Sequence, residues 1–350
     1  MTLEETIRQI RPVDVSAMEA AKKHWNSLGK PLGSLGRLEQ ALIQIAGIQR
    51  TEAVHVDRKA LVIMCADNGV VAEGVTQCGQ EVTATVAENF LDEKSCVAIM
   101  CQRANAKICP VDIGMATDTP RVEKRKVAYG TKNMVKEPAM TRKQAVAAIE
   151  VGIAKAVELQ KEGYELLATG EMGIGNTTTS SAMTAVYLGM DVETVTGRGA
   201  GLSSDGLQRK INAIRAAIAQ NCPDPDDPLD VLAKVGGFDI AGMCGLFLGG
   251  AALGMPVVMD GFISQVAALT AVRLVPECAD YILASHVSEE PGANILLKAL
   301  KKDAFLTCGM RLGEGSGAVA LFPILDFASD IYHKMSTFVQ ADIEEYQPLD

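Results

Sequence analysis

The sequence predicts an α/β fold in which helices cover both faces of a parallel β-sheet. From about residue 60 onward, short apolar runs each end in a turn rich in Gly, Asp or Ser, and helical periodicity follows. The four runs span residues 61–66, 166–169, 256–259 and 281–284. Buried strands that alternate with helices are typical of parallel sheets. Because ligands bind at the carboxyl ends of strands in such sheets, we expect these polar turns to form the site.

The composition limits the classes of protein that fit. The chain has 350 residues, enough for one large domain or two ordinary ones. Its net charge is −10 and no stretch of Lys and Arg forms a basic footprint, which argues against nucleic acid as a partner. With 48% hydrophobic and 22% charged residues, the chain resembles globular proteins rather than disordered chains or coiled coils.

The first 50 residues predict a helical hairpin. An amphipathic stretch over residues 18–28 is followed by the interruption Gly-Lys-Pro-Leu-Gly and by a second stretch over residues 34–49. Ser34 is placed to cap the second helix, whose apolar residues recur at three- and four-residue spacing. The N-terminus is charged from residue 4 onward and lacks the apolar core of a signal peptide, which indicates a cytoplasmic protein.

Residues 240–259 contain no charge over 20 positions and have to be weighed as a membrane span. Glycines and a proline break this segment near its end, Asp239 and Asp260 flank it, and no Lys or Arg marks a cytoplasmic side. The sequence therefore favours a buried helix of small residues that leads into a buried strand. Residues 222–228 hold three prolines and predict a loop, and residues 324–350 predict a helix followed by an acidic tail.

The cysteines and histidines show no pattern of a metal site. The nine cysteines are scattered and include no C-x-x-C pair, so free buried thiols are favoured over a zinc or redox site. Unpaired cysteines also agree with a reducing cytoplasm. The four histidines lie far apart along the chain. We therefore expect neither a metal nor a cofactor.

The strongest local signal is a glycine-rich turn within residues 168–182, where a strand ends and a run of hydroxyl residues opens a helix. Gly173 and Gly175 let backbone N–H groups approach an anion, and the helix that starts near Thr177 adds its positive end. The turn is neither a Walker A loop nor a G-x-G-x-x-G signature. It predicts a phosphate site, and the alternative is a glycine turn that only caps a helix.

A second glycine-rich turn spans residues 196–206 and leads into a helix whose first turn is expected to hold Arg209 and Lys210. Cations at a helix N-terminus oppose the helix dipole, so a nearby anion would offset their cost. Two such turns in one chain suggest a sugar phosphate. For Arg209, a solvated position is an equally good interpretation.

The third signal is a glutamate between glycines, Glu314, in a turn before an apolar helix. Such a carboxylate can be a general base where its surroundings tune its pKa, and the alternative is a mere partner of the helix dipole. Glu171 holds an equivalent position beside the first glycine turn. Two carboxylates at strand ends, near phosphate turns, suit chemistry at an anomeric carbon. Weaker candidates are Asp67, Asp260 and His286, which follow other apolar runs.

Other classes of protein find less support. No G-x-S-x-G elbow precedes an acid and a histidine in the order of an α/β-hydrolase. A kinase would need a P-loop or a magnesium-binding acidic pair, and the sequence shows neither. A nucleotide-binding protein without turnover would be indicated by loss of the glutamate at position 314, which is present.

The chain carries seven motifs between about residues 20 and 325, in the order LGKPLGSLGRLE, CADNGVVAEGV, TGEMGIGNTTTSSA, GRGAGL, MDGFISQVAAL, SHVSEEPG and GMRLGEGSGAVAL. Together they closely resemble the nicotinate-nucleotide–dimethylbenzimidazole phosphoribosyltransferase family of cobalamin biosynthesis. The resemblance implies that the phosphoribosyl group of nicotinate mononucleotide passes to 5,6-dimethylbenzimidazole or a related base, giving nicotinate and α-ribazole 5′-phosphate. It also implies a homodimer with a Rossmann-like large domain over residues 56–324 and a small helical domain from residues 1–55 plus 325–350.

The resemblance also implies roles for individual residues of this chain. Glu314 would be the general base that takes a proton from the incoming base, and Glu171 would be a second catalytic carboxylate. Asp260 would line the reaction centre with them. The phosphate and ribose of the donor would be held by Gly173, Gly175, Asn176, Thr177, Gly199, Gly201, Leu202, Ser203 and Lys210. Leu312 is a further predicted substrate-binding residue.

The chain departs from the family pattern over residues 76–83, where a Tyr-Pro-Gln-type stretch is absent. Thr76 and Gln80 remain as the predicted contacts of the base pocket, which we expect to accept benzimidazoles and also smaller or purine bases. Ala293 stands where the family has a histidine. Because a pyridinium departs as a neutral group, one base on the opposite face suffices, the anomeric carbon inverts, and no magnesium clamp is required.

Overall fold

The computed structural model describes residues 1–346 and contains, within them, one six-stranded parallel sheet. The strands are β1 Lys59–Ala66, β2 Ala106–Gly114, β3 Glu123–Lys124, β4 Leu166–Met172, β5 Val257–Met259 and β6 Ile282–Ala284. Their order across the sheet is β3-β2-β1-β4-β5-β6, and each neighbouring pair is parallel. The predicted α/β fold with a parallel sheet is confirmed.

The four predicted apolar runs all form strands. Every residue of β1 and β4 is buried, which is why these central strands read as continuous apolar runs. The run predicted to end at residue 169 continues to Met172, so Glu171 is a strand residue and not a turn residue. The sequence missed β2, whose first three residues are not buried and which contains Pro110, and β3, which is only 2 residues long.

Helices cover both faces of the sheet. One face is covered by α2 Val15–Ser27, α3 Arg37–Gln49, α4 Glu81–Phe90, α5 Cys96–Arg103 and α14 Ser316–Lys334. The other face is covered by α1 Leu3–Gln9, α6 Arg142–Lys161, α7 Asn176–Leu188, α8 Val192–Val195, α9 Ser204–Asn221, α10 Pro228–Val235, α11 Phe238–Leu253, α12 Phe262–Leu274 and α13 Ala293–Ala299. Two short 3-10 helices span Gly69–Glu73 and Pro276–Tyr281.

The predicted helical hairpin is formed by α2 and α3, and α14 packs against α3. The prediction that Ser34 caps the second helix is wrong, because α3 begins at Arg37 with Gly36 at the N-cap and no side-chain capping bond. The first helix, α1, packs against α6 and α11 on the opposite face of the sheet. The division into a small and a large domain stays a prediction.

The uncharged segment at residues 240–259 forms most of α11 and then β5, as predicted. All residues of α11 up to Ala251 are buried, and α11 packs against α6 at a distance that requires glycine. A Cβ atom at Gly152 would lie 1.9 Å from the carbonyl oxygen of Gly242, and one at Gly245 would lie 1.9 Å from that of Ile149. Within residues 1–346 no helix has the length and apolar character needed to cross a membrane.

The predicted loop at residues 222–228 joins α9 to α10. The C-terminal helix begins at Ser316, earlier than predicted, and the last residues of the predicted acidic tail, 347–350, lie outside the described part of the chain. The nine cysteines, which all lie in the described part, are free. The expectation of buried thiols is wrong for Cys96, Cys222 and Cys308, which are exposed.

Candidate active site

A cleft opens at the carboxyl ends of β4, β5 and β6, and we call it the main cleft. It is lined by residues from five segments, 171–177, 199–200, 260–264, 286–290 and 311–314. Among the predicted site residues, those that line it are Glu171, Gly173, Asn176, Thr177, Gly199, Asp260, Leu312 and Glu314. Five separate sequence motifs therefore meet at one edge of the sheet.

A smaller side cleft adjoins the main cleft and is lined by residues 75–78, 173–177, 198–200 and 202. It adds Thr76, Gly175 and Leu202 to the predicted residues that face these two clefts. Gly201 faces a groove on the outer side of the same turn. Ser203, Lys210 and Gln80 are not among the residues that line either cleft.

Glu314 is held in a turn that few residues can adopt. Its φ angle is +62° and those of Gly313 and Gly315 are +84° and +85°, so three successive residues lie in the left-handed region. This backbone conformation is unfavourable for glutamate, so the surrounding contacts must stabilise it. Burial, and then the charge of Asp260, raise the pKa of the Glu314 carboxyl. A raised pKa makes the carboxylate a stronger base.

Asp260 holds this turn in place through hydrogen bonds to backbone amides. Its Oδ2 atom accepts a hydrogen bond from the Gly315 amide at 3.1 Å and its Oδ1 atom accepts one from the Ala318 amide at 3.0 Å. These amides lie at the N-terminus of α14, where a carboxylate also complements the helix dipole. The Nδ1 atom of His286 lies 3.9 Å from Asp260 Oδ1. Asp260 thus lines the main cleft while both of its oxygens hold backbone groups.

Glu171 is the last residue but one of β4 and is 6% exposed. Its Oε1 atom accepts a hydrogen bond from the Glu314 amide at 3.3 Å, and its Oε2 atom accepts one from Asn176 Nδ2. Burial, followed by the charges of Asp239 and Asp260, raises the pKa of Glu171 well above its usual value. The two predicted catalytic glutamates are therefore joined through the backbone of the Glu314 turn.

Asp239 is a member of this cluster that the sequence analysis did not identify. It lies in the first turn of α11, is completely buried, and its Oδ2 atom accepts a hydrogen bond from Asn176 Nδ2 at 3.1 Å. Burial raises its pKa to about 6. In the sequence, Asp239 appeared only as the boundary of an uncharged segment. The two glycines shortly before it, at positions 236 and 237, were the one signal of a tightly enclosed side chain.

The first glycine turn closes tightly around the start of α7. A Cβ atom at Gly173 would lie 2.3 Å from the carbonyl oxygen of Ala66, so only glycine fits there. Gly175 is the N-cap of α7 with a φ angle of +93° and leaves the first amides of the helix without a side-chain cap. The Asn176 and Thr178 amides donate to the Gly173 and Gly175 carbonyls at 3.1 and 2.9 Å, so the suitability of this helix N-terminus for an anion rests mainly on the positive end of the helix dipole at the cleft. The helix begins at Asn176, close to the predicted start.

Lys210 lies deeper than the sequence suggested. It sits beyond the first turn of α9, its side chain is fully buried, and Nζ donates hydrogen bonds to Thr177 Oγ1 at 2.8 Å and to the Gly197 carbonyl at 3.1 Å. Burial lowers its pKa to about 8, against an opposing effect of Glu290. Lys210 thus connects the two glycine-rich turns from behind, and Arg209 beside it is exposed.

The other predicted residues make local contacts. The hydroxyl of Ser203 caps α9 by accepting a hydrogen bond from the Gly206 amide at 3.1 Å. Thr76 donates to the Cys78 carbonyl at 2.8 Å, and Gln80 Nε2 donates to the Asn68 carbonyl at 3.1 Å. Of these three residues only Thr76 lines a cleft, the side cleft.

Several lining residues of the main cleft were missed by the sequence analysis, among them Ser288, Glu290 and Arg311. Ser288 and Glu290 belong to the SHVSEEPG motif, so the motif itself was the available signal. His286, a weaker candidate, also lines the cleft and is 4% exposed. Within residues 1–346 the structure brings together no group of three His, Cys, Asp or Glu side chains suited to a metal ion.

Comparison with known proteins agrees with this geometry. A family model described as phosphoribosyltransferase matches residues 10–343. A protein of Ruminiclostridium cellulolyticum named nicotinate-nucleotide–dimethylbenzimidazole phosphoribosyltransferase is 50% identical over 352 residues, which cover 100% of both chains. The chain belongs to this family.

Further relatives of this phosphoribosyltransferase family extend the agreement. A protein of the same name from Acetivibrio thermocellus is 48% identical and covers 98% of this chain and 99% of its own. The crystal structure of CobT from Thermus thermophilus matches with a TM-score of 0.90 at 38% identity, over 95% of this chain and 100% of that one. The family predicted from the seven motifs is confirmed.

Proposed function

We propose that this phosphoribosyltransferase transfers the phosphoribosyl group of nicotinate mononucleotide to 5,6-dimethylbenzimidazole or a related base. The products are nicotinate and α-ribazole 5′-phosphate, which supplies the lower ligand of cobalamin. The observation that carries the proposal is the fixed placement of the Glu314 carboxyl in the same cleft as the N-terminus of α7. A base and an anion site in one cleft are what transfer from a nucleotide donor requires.

The reaction consists of one displacement at the anomeric carbon. One ring nitrogen of the benzimidazole attacks with its lone pair as the bond from the anomeric carbon to the pyridinium nitrogen breaks. The electron pair of that bond returns to the pyridine ring, which leaves without needing an acid. Glu314 takes the proton from the other ring nitrogen of the attacking base, and attack opposite the leaving group gives the α product.

The donor phosphate lies at the N-terminus of α7 in this proposal. Thr177 lines the main cleft there, and the two clefts are also lined by the predicted donor-site residues Gly173, Gly175, Asn176, Gly199 and Leu202. Gly201 and Ser203, from the same turn as Gly199, remain predicted members of this site. Lys210 contributes its charge from behind, because its Nζ atom contacts Thr177 and the Gly197 carbonyl. The amides, the hydroxyl and the charge together favour a phosphate over a neutral group.

The acceptor site is formed in this proposal by Leu312, which is 53% exposed at the main cleft, and by Thr76 of the side cleft. Gln80, which lines neither cleft, is the remaining predicted contact of the base. The absence of an aromatic wall over residues 76–83 supports acceptance of purine bases as well as benzimidazoles. Competition between 5,6-dimethylbenzimidazole and adenine under steady-state conditions tests this part. Exclusive reaction of 5,6-dimethylbenzimidazole would contradict it.

We further propose that the protein acts as a cytoplasmic homodimer that needs no added metal or cofactor. The experiment is to mix purified protein, nicotinate mononucleotide and 5,6-dimethylbenzimidazole without metal and to separate the products by chromatography with mass detection. Free nicotinate and a new ribotide in equal amounts are expected. Failure of both to appear, with adenine or a phenol as acceptor as well, would contradict the proposal. Sedimentation of the same sample tests the dimer.

A further inference from the structure

Asp239 lies beneath the main cleft and is enclosed by two glycines. A Cβ atom at Gly173 would lie 2.8 Å from Asp239 Oδ2, and one at Gly237 would lie 2.4 Å from Oδ1. Asp239 is completely buried and, within residues 1–346, no Lys, Arg or His side chain forms an ion pair with it. A buried carboxylate is costly, so the fold retains it against an energetic disadvantage.

This carboxylate accepts hydrogen bonds from two groups. Oδ1 accepts from the Ile240 amide at 3.0 Å and Oδ2 accepts from the side-chain NH2 group of Asn176 at 3.1 Å. The same NH2 group also donates to Glu171 Oε2. Asn176 therefore has two carboxyl groups on one side of its amide.

The two carboxyl groups determine the orientation of the Asn176 side-chain amide. Only the NH2 end can donate to both Asp239 and Glu171, because a carbonyl oxygen in its place could bond to both only if each carboxyl group carried a proton. The carbonyl end of Asn176 is thereby turned away from them, and the side chain lines both the main and the side cleft. The orientation is set from inside the protein, before any ligand binds.

We infer that Asp239 is a positioning residue for the reaction, which holds the Asn176 amide with its carbonyl oxygen, and not its NH2 group, towards the clefts. This inference rests on the proposed function. The nicotinate mononucleotide donor carries a positive pyridinium ring, and positive charge develops at the anomeric carbon as the bond to that ring breaks. A carbonyl oxygen stabilises both the charge of the pyridinium ring and the charge that develops at the anomeric carbon, whereas an NH2 group in its place would destabilise them.

Exchange of the two side chains separates positioning from packing. In Asp239→Asn, the Ile240 amide holds the new carbonyl oxygen, so the new NH2 group faces Asn176 and turns that amide over. In Asn176→Asp, three carboxyl groups meet and repel one another. In the double variant Asp239→Asn/Asn176→Asp, the NH2 group at position 239 donates to the carboxylate at position 176, and Glu171 takes up a proton to donate to that carboxylate in place of the lost Asn176 bond. An oxygen then faces the clefts again.

The experiment measures kcat and the donor KM of the four proteins at neutral pH, with saturating 5,6-dimethylbenzimidazole. Each single variant is expected to lose about tenfold or more in kcat, and the double variant to recover at least about fivefold over either, since side chains in one network couple at this level. Asp112→Asn is the matched control. It changes a fully buried carboxylate at the end of β2 and is expected to retain its kcat.

The outcomes distinguish the inference from the proposed function. An inactive wild-type protein would contradict the proposed function itself. With an active wild type, unchanged kcat in Asp239→Asn would overturn the positioning role, as would a double variant no better than the worse single one. Thermal unfolding of each variant, together with a crystal structure of Asp239→Asn, checks that losses in kcat occur in folded protein with a reversed Asn176 amide.

Discussion

Replacing Lys210 with methionine is expected to stabilise the protein at neutral pH while weakening donor binding. The side chain is fully buried, and its pKa is lowered from 10.5 to about 8. At neutral pH Lys210 is protonated in both states and the folded protein bears the whole cost of the buried charge, about 3 kcal/mol. Methionine removes this cost but leaves Thr177 and the Gly197 carbonyl without their donor, which costs about 1–2 kcal/mol.

The stability advantage of Lys210→Met over the wild type is expected to decrease as the pH rises. Between the folded pKa of about 8 and the unfolded value of 10.5, the unfolded state binds more protons, so the wild type becomes more stable as the pH rises. The advantage of Lys210→Met, about 1–2 kcal/mol at pH 7, should therefore disappear by about pH 9.5.

Urea unfolding of both proteins at the two pH values measures this difference. Lys155→Met is the control, since burial lowers the pKa of Lys155 but its ion pair with Glu123 more than offsets this and raises it. That variant should be less stable than the wild type at pH 7. A stability difference for Lys210→Met that does not change with pH would refute the reasoning, and an unchanged donor KM would refute the phosphate role.

Two further variants test the support of the Glu314 turn. Asp260→Ala leaves the Gly315 and Ala318 amides without an acceptor and should lower the free energy of unfolding by about 2–5 kcal/mol. Urea unfolding measures this loss, and a value below about 1 kcal/mol would argue against this anchoring. Gly170→Ala places a Cβ atom 2.7 Å from the Glu314 carbonyl oxygen and should reduce kcat by about tenfold or more through displacement of the turn. Gly250→Ala, whose Cβ would lie 2.4 Å from a methyl group of Val257, is the control that should reduce stability and leave kcat unchanged.

The fold was largely predictable because its central strands are buried on both faces. β1 and β4 read as apolar runs for that reason, and the glycine-rich turns after them marked the edge of the sheet that forms the site. β3 was not predictable from periodicity, since its 2 residues give no pattern. Ser34 failed as a cap because α3 starts with a left-handed glycine instead.

The site was predictable where a motif marks it and not where the fold alone creates it. Glu314 and Glu171 stood out beside glycines in the sequence. Asp239 lies 63 residues from Asn176 along the chain, and only the packing of α11 under the first glycine turn brings the two together. Lys210 was identified, but its burial behind the turn could not be deduced from spacing.

The most direct test of the account is the turnover of Glu314→Gln, followed as release of nicotinate from nicotinate mononucleotide with 5,6-dimethylbenzimidazole as acceptor. The variant keeps the shape of the side chain and removes its basicity. The account predicts that kcat falls by roughly 10²–10⁴-fold while the donor KM stays within about twofold. A kcat within a few-fold of the wild type would contradict the assignment of Glu314 as the base and transfer that role to another group, with Glu171 the first to examine.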